Sequence, residues 1–581
     1  MTPPVLQVEN LSIGFKTEGS YSEATRNISF QVPAGKITAI VGESGSGKSI
    51  TSLSIMQLLP KQAIVRGNIF FSPAEGKSID LLTLSEKQTN GFRGKDISMV
   101  FQEPMTSLNP VFTCGFQVME AIQLHQQVSA QAAKEQTISL FQKVKLPNPV
   151  SIINKYPHEL SGGQKQRVMI AMAISCNPSV LIADEPTTAL DVRVQKTILE
   201  LIRSLQTETG MSVVLISHDL GLVADIADQL LVMYKGEIVE QGPAVEVLNH
   251  PAHEYTKALM ACRPAMHQRG ERLPVVSDFL HTVNRGDDSR MPIGSSPESI
   301  QTLTGKNGAN AGDIALRVEH LSVVYPARKK LFGKPLPDFK AVDNVSFLVN
   351  RGETVGLVGE SGCGKTTLGR TILQLLKPTS GKVILDGVDL VRLTKKELHP
   401  VRKELQIVFQ DPYGSLNPRI TIGDAIREPM NVHALLQNKS QRKEKVIDLL
   451  EKVNLKPEHF NRYPHQFSGG QRQRICIARA LALNPSFLVF DESVSALDVS
   501  VQAQVLNLLN DLKKEFGFTS IFISHDLSVV RFISDRIMVM HQGKIVEEGN
   551  ADDIYFNPRE AYTQELIAAI PGKQMKPSWL S

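Results

Sequence analysis

The sequence predicts an α/β protein made of two similar halves, each built on a parallel sheet. The first observation is an internal repeat, because VGESGSGKS at residues 41–49 returns as VGESGCGKT at residues 358–366. The second is that this motif follows an apolar, β-branched run in each half and precedes a helical pattern. The third is that apolar runs resembling buried parallel strands precede Asp184 and His218, and again precede their counterparts in the second half.

These patterns place the glycine-rich motif between a strand and a helix. The strands are expected at Ile37–Val41 and Thr354–Val358, and the helices at residues 51–59 and 367–376. The motif residues then lie at the carboxyl ends of strands. Open α/β sheets bind their ligands at that edge.

Further repeats divide the chain into three parts. FQEPMTSLNP at 101–110 is matched by FQDPYGSLNP at 409–418, and YPHELSGGQKQR at 156–167 by YPHQFSGGQRQR at 463–474. Between the halves lies a stretch rich in Gly, Ser, Asn and charged residues, which is typical of a linker, although a surface loop of one half would have a similar composition. The predicted parts are a first domain at 1–262, a linker at 263–312 and a second domain at 313–581.

Composition narrows the class of protein. Lys and Arg total 63 against 59 Asp and Glu. The net charge of +4 is much smaller than the positive charge expected of a protein that binds nucleic acid. The five cysteines form no CxxC pair, so the spacing of a zinc ribbon, an iron–sulfur cluster or a disulfide framework is missing. Neither a signal-peptide pattern nor an apolar run of about 18 residues occurs. We therefore expect a chain of a reducing compartment that reaches a membrane only through other chains.

The repeated glycine-rich motif fits the phosphate-binding pattern GxxxxGK[ST]. Glycines let the backbone curl so that successive N–H groups face a phosphate, and the following helix adds partial positive charge. The lysine reaches the outer phosphates, and the next hydroxyl can hold Mg²⁺. Nucleotide contacts are expected from Gly42, Ser44, Gly45, Ser46, Gly47, Lys48, Ser49 and Ile50, and from Gly359, Ser361, Gly362, Cys363, Gly364, Lys365, Thr366 and Thr367.

An Asp-Glu pair ends an apolar run in each half, at residues 184–185 and 491–492. The aspartate is placed to bind Mg²⁺ through water. The glutamate is placed to take a proton from the water that attacks the γ-phosphate. A pair of solvated surface acids would lack the apolar flank. The predicted metal-binding residues are Ser49, Gln102, Asp184, Thr366, Gln410 and Asp491.

A glutamine and a histidine also stand at predicted strand ends in each half. The amides of Gln102 and Gln410 can ligate the metal and sense the γ-phosphate, while His218 and His525 can donate a hydrogen bond to that phosphate. A lone histidine is usually structural, but recurrence in both halves favours a functional role. The predicted catalytic residues are Glu185, Glu492, His218 and His525.

A second anion-binding surface is predicted where Ser-Gly-Gly-Gln opens a helical segment. The serine hydroxyl, the glycine amides and the helix dipole all favour a phosphate, although a simple N-cap would use the same residues. Aromatic rings at Phe15 and Tyr325 could stack on adenine, with core packing as the alternative. The residues of the repeated Ser-Gly-Gly-Gln loop are Ser161, Gly162, Gly163, Gln164, Ser468, Gly469, Gly470 and Gln471.

The ordered set of phosphate loop, glutamine, SGGQ, Asp-Glu and histidine resembles the ATP-binding cassette ATPases, with two cassettes covering nearly the entire chain. The resemblance implies two P-loop nucleotide-binding domains, each with a RecA-like parallel core, an antiparallel β subdomain and a helical subdomain. It also implies ATP and Mg²⁺ as cofactors. In such proteins the cassettes face each other head to tail, so Lys48 would share one ATP with Ser468–Gln471, and Lys365 the other with Ser161–Gln164.

A narrower resemblance comes from the Q-[ED]-P-x-x-S-L-N-P run, the YPH before the SGGQ loop, and the tails HPAHEYTKAL and NPREAYTQEL. These are similar to the ATPases of peptide and nickel importers, whose helical lobes, here residues 103–160 and 411–467, receive a helix from the membrane subunits. The implied partners are two integral membrane permease subunits and an extracytoplasmic substrate-binding protein, with the chain on the cytoplasmic face of the inner membrane. Peptide is the preferred cargo, and glutathione, nickel and other small solutes stay open.

Two departures from the pattern bear on whether the two sites are equivalent. Phe467 replaces the usual leucine before the second SGGQ loop, and Ser493 replaces the proline after Glu492. Neither change removes a charge or a donor.

The alternative class is the tandem ATPases of translation and DNA repair, which would carry a charged helical linker or zinc-binding cysteines and a more basic surface.

Overall fold

The computed structural model describes residues 4–17, 20–73, 77–102, 107–188, 190–283, 313–326 and 338–572. They form two compact units. The first comprises Met1–Ala261 with Asp498–Ser500 and Pro571–Ser581, and the second comprises Cys262–Leu497 with Val501–Ile570. The domain boundaries given above stay a prediction.

The core of the first unit is a six-stranded sheet whose central strands are fully buried. Five strands run parallel, and the edge strand Glu237–Pro243 pairs antiparallel with its neighbour. Apolar side chains cover both faces, as the continuous apolar runs predict. The strand order is Glu237–Pro243, Gln229–Tyr234, Ile37–Val41, Ser212–Ser217, Val180–Asp184 and Ile97–Val100.

An antiparallel sheet packs beside this core. Leu6 pairs with Phe71 and Val8 with Ile69, and all four side chains are buried in one apolar cluster. Polar residues alternate with them along the strands, which is the pattern of a sheet with one buried face. Its strand order is Ser20–Pro33, Pro4–Thr17, Ala63–Phe71 and Ile79–Asp80.

Helices surround the core and form a lobe between Gln102 and the SGGQ loop. The helix that follows the phosphate loop runs Lys48–Ile55, so the prediction of residues 51–59 is wrong at both ends. Gly47 is its N-cap, so the helix begins at Lys48, and just beyond its end Gln57 takes a left-handed φ of 50°. The other helices of this unit are Glu86–Phe92, Cys114–Gln126, Ala130–Lys143, Pro149–Ile152, Gly162–Ala173, Val192–Thr209, Leu220–Ala224, Ala244–Asn249 and Glu254–Ala261, with short 3₁₀ turns at Leu81–Thr83 and Pro157–Glu159.

The second unit repeats this plan in its sheets. Its core order is Leu405–Val408, Phe487–Asp491, Thr519–Ile523, Thr354–Val358, Arg536–His541 and Lys544–Asn550. Its antiparallel order is Phe339–Asn350, Ile314–Tyr325, Ser380–Leu385 and Val388–Asp389. The predicted α/β fold with a parallel core is thereby confirmed in both halves.

The helices of the second unit include a lobe within the predicted range of 411–467. The helix after its phosphate loop ends at Ile372 rather than at residue 376, and Gln374 has a φ of 53° just beyond. The helices are Val276–Val283, Lys365–Ile372, Lys395–Val401, Pro412–Ser415, Ile422–Val432, Lys439–Lys452, Gly469–Leu481, Val499–Phe516, Leu527–Ile533, Ala551–Phe556 and Ala561–Ala568, with 3₁₀ turns at Pro264–Met266, Leu390–Arg392, Pro457–Asn461 and Pro464–Gln466.

No helix among the residues that the structure describes combines the length and the apolar character needed to cross a bilayer.

Candidate nucleotide-binding and hydrolysis sites

The phosphate loop of the first unit leaves strand Ile37–Val41 and curls through three glycines of positive φ. Gly42 and Gly47 also leave no room for a side chain, because an added Cβ would lie 2.2 Å from the Met233 carbonyl oxygen and 2.8 Å from the Ala24 carbonyl oxygen. The curl wraps the loop around Lys48, which is 4% exposed. Its Nζ atom donates to the carbonyl oxygens of Gly42 at 2.7 Å and Glu43 at 2.9 Å.

Burial lowers the pKa of Lys48, and the negative charge of Glu185 opposes that shift. The lysine therefore stands in a partly desolvated loop where phosphate oxygens could replace its carbonyl partners. The second unit copies this geometry. Lys365 Nζ donates to the carbonyl oxygens of Gly359 at 2.7 Å and Glu360 at 2.9 Å.

Two further predicted contact residues flank the loops. Ile50 is partly buried and packs against the apolar core of its unit. The carbonyl of Thr367 accepts a hydrogen bond from the Thr371 hydroxyl at 2.7 Å. Cys363 is buried beside Lys365, and burial raises the pKa of its thiol.

A hydroxyl and a carboxylate meet beside each loop. Ser49 Oγ donates to Asp184 Oδ1 at 3.1 Å, and Thr366 Oγ1 donates to Asp491 Oδ1 at 2.8 Å. Burial raises the pKa of Asp184 to about 6 and raises that of Asp491. A hydroxyl and a carboxylate are hard oxygen donors of the kind that Mg²⁺ prefers, so the pair fits the predicted metal.

Glu185 follows the strand and is held from several sides. Its φ is 46°, and its backbone N–H donates to the Ile216 carbonyl at 3.0 Å. Its Oε2 atom accepts hydrogen bonds from Gln102 Nε2 and Thr188 Oγ1, each at 2.9 Å, and lies 3.2 Å from His218 Nδ1. The carboxylate is thereby fixed at the strand end, as a base that must orient water requires.

The electrostatics of this group follow from its partners. Burial raises the pKa of Glu185, but the hydrogen bonds from His218 and Thr188, with the charges of His218 and Lys48, together outweigh burial and hold the pKa at about 2. Burial alone would lower the pKa of His218, but the hydrogen bond and the negative charge of Glu185 outweigh burial, so the pKa of His218 is raised. The glutamate is therefore ionised at neutral pH.

The second unit repeats the arrangement with differences. Gln410 Nε2 donates to Glu492 Oε2 at 3.0 Å, and His525 Nδ1 lies 3.5 Å from the same oxygen. Burial alone would raise the pKa of Glu492, but the hydrogen bond and charge of His525 lower it. The hydroxyl of Ser495, at the position of Thr188, donates to the Glu492 backbone carbonyl at 2.9 Å instead of to its carboxylate.

An arginine adds a second difference. Arg370 Nη2 lies 3.9 Å from Asp491 Oδ2. The corresponding residue of the first half is Leu53, since both stand at the same distance after the loop lysine. The second site therefore carries a positive charge near its predicted metal ligand that the first site lacks.

Both SGGQ loops are helix N-termini with reciprocal caps. Ser161 Oγ accepts from the Gln164 N–H at 3.3 Å, while Gln164 Oε1 accepts from the Ser161 N–H at 3.1 Å. Ser468 and Gln471 repeat this pair at 3.4 and 3.1 Å. The N-cap expected as the local alternative is thus present. The role of the glycine amides of these loops toward a phosphate stays a prediction.

The aromatic residues proposed for adenine differ in environment. Phe15 is partly buried and packs against the apolar core, whereas Tyr325 is 43% exposed. Core packing thus accounts for Phe15, and only Tyr325 offers a largely free ring. Stacking on adenine stays a prediction for both.

A tyrosine that sequence reasoning missed supports each phosphate loop. The hydroxyl of Tyr255 accepts the Glu43 N–H at 3.0 Å, and that of Tyr562 accepts the Glu360 N–H at 3.0 Å. Both tyrosines belong to the repeated tails HPAHEYTKAL and NPREAYTQEL. The repetition of these tails in both halves could have identified the two tyrosines. Thr188 was also missed, although a hydroxyl stands three residues after the glutamate in both halves.

Comparison with known proteins places the chain in a family. The protein-family model described as "ABC transporter" matches residues 25–188 and 342–495. The model for "Oligopeptide/dipeptide transporter, C-terminal region" matches residues 239–285 and 546–579. These matches cover both halves and both repeated tails.

Similar proteins match over nearly the full length. The glutathione import ATP-binding protein GsiA of Pectobacterium atrosepticum is 45% identical over 570 residues, which covers 98% of this chain and 89% of that protein. The protein of the same name from Escherichia coli K12 is 47% identical over 576 residues with the same coverage. A solved dimeric, post-hydrolysis structure of the ATP-binding cassette MJ0796 with ADP and phosphate is 30% identical. It covers 41% of this chain and 98% of that chain, with a TM-score of 0.37. The chain therefore belongs to the ABC transporter family, as an ATPase with two ATP-binding cassettes.

Proposed function

We propose that this chain is the energy-coupling ATPase of an importer for glutathione or related di- and oligopeptides. The observation that carries the proposal is the complete set around Glu185 and again around Glu492. Each carboxylate is held by a glutamine and faced by a histidine, beside a phosphate loop and a hydroxyl–aspartate pair. Among the described residues, both halves keep the glutamate, the glutamine, the histidine and the hydroxyl–aspartate pair.

Hydrolysis would use these groups in defined roles. The lysine and the amides of the phosphate loop bind and orient the β- and γ-phosphates. The buried Ser46 hydroxyl has no hydrogen-bond partner among the described residues, which suits a loop that closes on an anion. Glu185 takes the proton of the attacking water, a role worth roughly 10² to 10⁴ in rate. His218 holds that carboxylate ionised and oriented.

Mg²⁺ is the cofactor proposed beside ATP. It would be held by Ser49 and Asp184 in one site and by Thr366 and Asp491 in the other, with Gln102 and Gln410 nearby. When bound, it neutralises charge that develops on the β- and γ-phosphates. The raised pKa of Asp184 supports this assignment, because a buried carboxylate without a cation is a costly charge that a divalent ion would stabilise.

We also propose that the SGGQ loop of one cassette completes the ATP site of the other. The capped N-terminus of helix Gly162–Ala173 presents glycine amides and a positive dipole end, which suit a γ-phosphate. Replacing Lys48 by Ala then impairs the hydrolysis of both sites. Full-speed turnover of the second cassette in the K48A variant would contradict the shared arrangement.

The partners follow from the family and the cargo from the relatives' names. We propose two permease subunits that supply the spanning helices, an extracytoplasmic substrate-binding protein, and attachment at the cytoplasmic face of the membrane. The family model for a peptide-transporter C-terminal region, and relatives named for glutathione import, support peptides or glutathione. Nickel is the alternative named for this class of ATPase.

Purification of the chain with its permease subunits, reconstituted in lipid nanodiscs with the binding protein, tests this proposal. ATPase turnover is measured with glutathione, a tripeptide, Ni²⁺ and no cargo, each with Mg²⁺ or with EDTA. We expect glutathione or the tripeptide to stimulate turnover only in Mg²⁺. Stimulation by Ni²⁺ alone, or by added nucleic acid without permeases, would overturn the assignment.

A further inference from the structure

The residues that follow the first cassette are part of the second unit. The last helix of the first unit ends at Ala261, and the chain from Cys262 onward belongs to the second. Residues 264–276, here called the docking segment, were predicted to be the beginning of a linker. In the structure they contain a 3₁₀ turn at Pro264–Met266 and lead into helix Val276–Val283.

A buried asparagine recognises the backbone of this segment. Asn507, in helix Val499–Phe516, is 6% exposed. Its Oδ1 atom accepts the Leu273 N–H at 2.9 Å, and its Nδ2 atom donates to the Leu273 carbonyl at 2.8 Å. This reciprocal pair imitates a strand partner and fixes the position of one residue along the segment. Buried backbone groups left without such a partner would be costly.

Charged groups hold the segment at a second place. Arg269 forms an ion pair with Asp535, whose other oxygen accepts the Thr354 N–H at 2.7 Å. Arg531 Nη1 donates to the His267 carbonyl at 3.4 Å. The exposed pair of Arg272 and Asp511, at 3.4 Å, adds little by comparison, because solvent screens it.

Apolar burial completes the contact. Leu273 is 1% exposed, and Pro264 and Val276 are also buried. In a free linker these side chains would be exposed to water. Burying an apolar side chain of the size of valine or leucine stabilises the folded chain by about 1.5–3 kcal/mol. The segment is therefore anchored by backbone recognition, an ion pair and apolar packing together.

Two of the side chains that receive the segment are not repeated at the equivalent positions of the first half. At the positions of Asn507 and Arg531 the first half has Glu200 and Ala224, which cannot form the same bonds. Only Asp535 keeps its counterpart, Asp228, which likewise accepts a backbone N–H of the core sheet. The recognition is thus specific to the second cassette.

We propose that Asn507, Arg531 and Asp535 form a docking surface for residues 264–276, and that this docking keeps the two halves of the chain associated without nucleotide. The segment is covalently continuous with Ala261, so whatever holds the segment also holds the first cassette. The role goes beyond ATP hydrolysis and does not depend on the cargo or on transport.

The test uses the full chain with a protease site inserted between residues 296 and 297. The chain is cleaved in EDTA without nucleotide, and the dissociation constant of the two fragments is measured by analytical ultracentrifugation. We expect the cleaved chain to stay together, and N507A to weaken the association at least about tenfold, as the loss of two buried hydrogen bonds implies. R269A should weaken it further.

The matched control is E200A, which changes the equivalent helix position of the first half and should leave the dissociation constant unchanged. Circular dichroism and ATP binding of uncleaved N507A confirm that the variant folds. Separation of the cleaved wild-type chain would overturn the proposal. Equal association of the N507A and wild-type fragments would overturn it too, because other contacts would then hold the halves.

Discussion

The Thr188 hydroxyl donates to the Glu185 carboxylate at 2.9 Å, whereas Ser495 donates to the backbone of Glu492. The two hydrolysis sites thus hold their glutamates differently although the motif is repeated. In the first site the carboxylate has three polar neighbours, and in the second it has a glutamine and a histidine. The sites are close copies with distinct support for the base.

Replacement of Thr188 tests this difference. T188A should slow hydrolysis in the first site about tenfold without changing ATP affinity, because a hydrogen bond to a charged group is worth about 1.5–3 kcal/mol. Single-turnover phosphate release measures the two sites as separate phases. S495A should change the second phase less than about twofold, because the Ser495 hydroxyl does not donate to the Glu492 carboxylate. Equal slowing by T188A and S495A would refute the distinction.

Arg370 and Leu53 predict unequal magnesium affinities. A guanidinium close to Asp491 repels a divalent cation at that site, and partial solvent exposure keeps the effect modest. R370L should tighten Mg²⁺ at the second site about three- to tenfold, and L53R should weaken it at the first. The measurement is Mg²⁺ titration of a fluorescent ATP analogue, with the other site disabled by K48A or K365A. Unchanged midpoints in both variants would exclude this role.

Tyr255 is expected to support the phosphate loop from a distant part of the sequence. Y255F leaves the partly buried Glu43 N–H without its acceptor, which costs an amount at the lower end of about 1–3 kcal/mol. ATP affinity at the first site should fall about tenfold, as measured by equilibrium binding. Y234F is the matched control. The ring of Tyr234 packs against that of Tyr255, with centroids 4.2 Å apart and planes tilted by 34°, and the substitution removes only the Tyr234 hydroxyl. The same loss of affinity in Y234F would show that the effect does not depend on the bond between Tyr255 and the Glu43 N–H.

The sequence could predict whatever depends on local pattern. The strands Ile37–Val41 and Thr354–Val358, and the placement of Gln102 and His218 beside Glu185, follow from apolar runs and repeated motifs at strand ends. Helix ends were missed because the left-handed φ of Gln57 and Gln374 carries no distinct residue type. These errors are local and leave the fold unchanged.

Long-range contacts could not be predicted in the same way. Tyr255 lies 212 residues from Glu43, and Leu273 lies 234 residues from Asn507, so no spacing rule joins them. The direction of the Thr188 hydroxyl depends on the turn after Glu185. The same turn in the second half has a different sequence, Ser493-Val494-Ser495, and its hydroxyl donates to the backbone instead. Such contacts are decided by tertiary packing rather than by local preference.

The most direct test of the account is the E185Q/E492Q variant assayed with its permease partners. Glutamine keeps the shape of each carboxylate but cannot take the proton of the attacking water. We predict that Mg²⁺-dependent ATP binding stays near the wild-type affinity while steady-state turnover falls by roughly 10² to 10⁴. Turnover close to that of the wild-type chain would contradict the assignment of Glu185 and Glu492 as the catalytic bases.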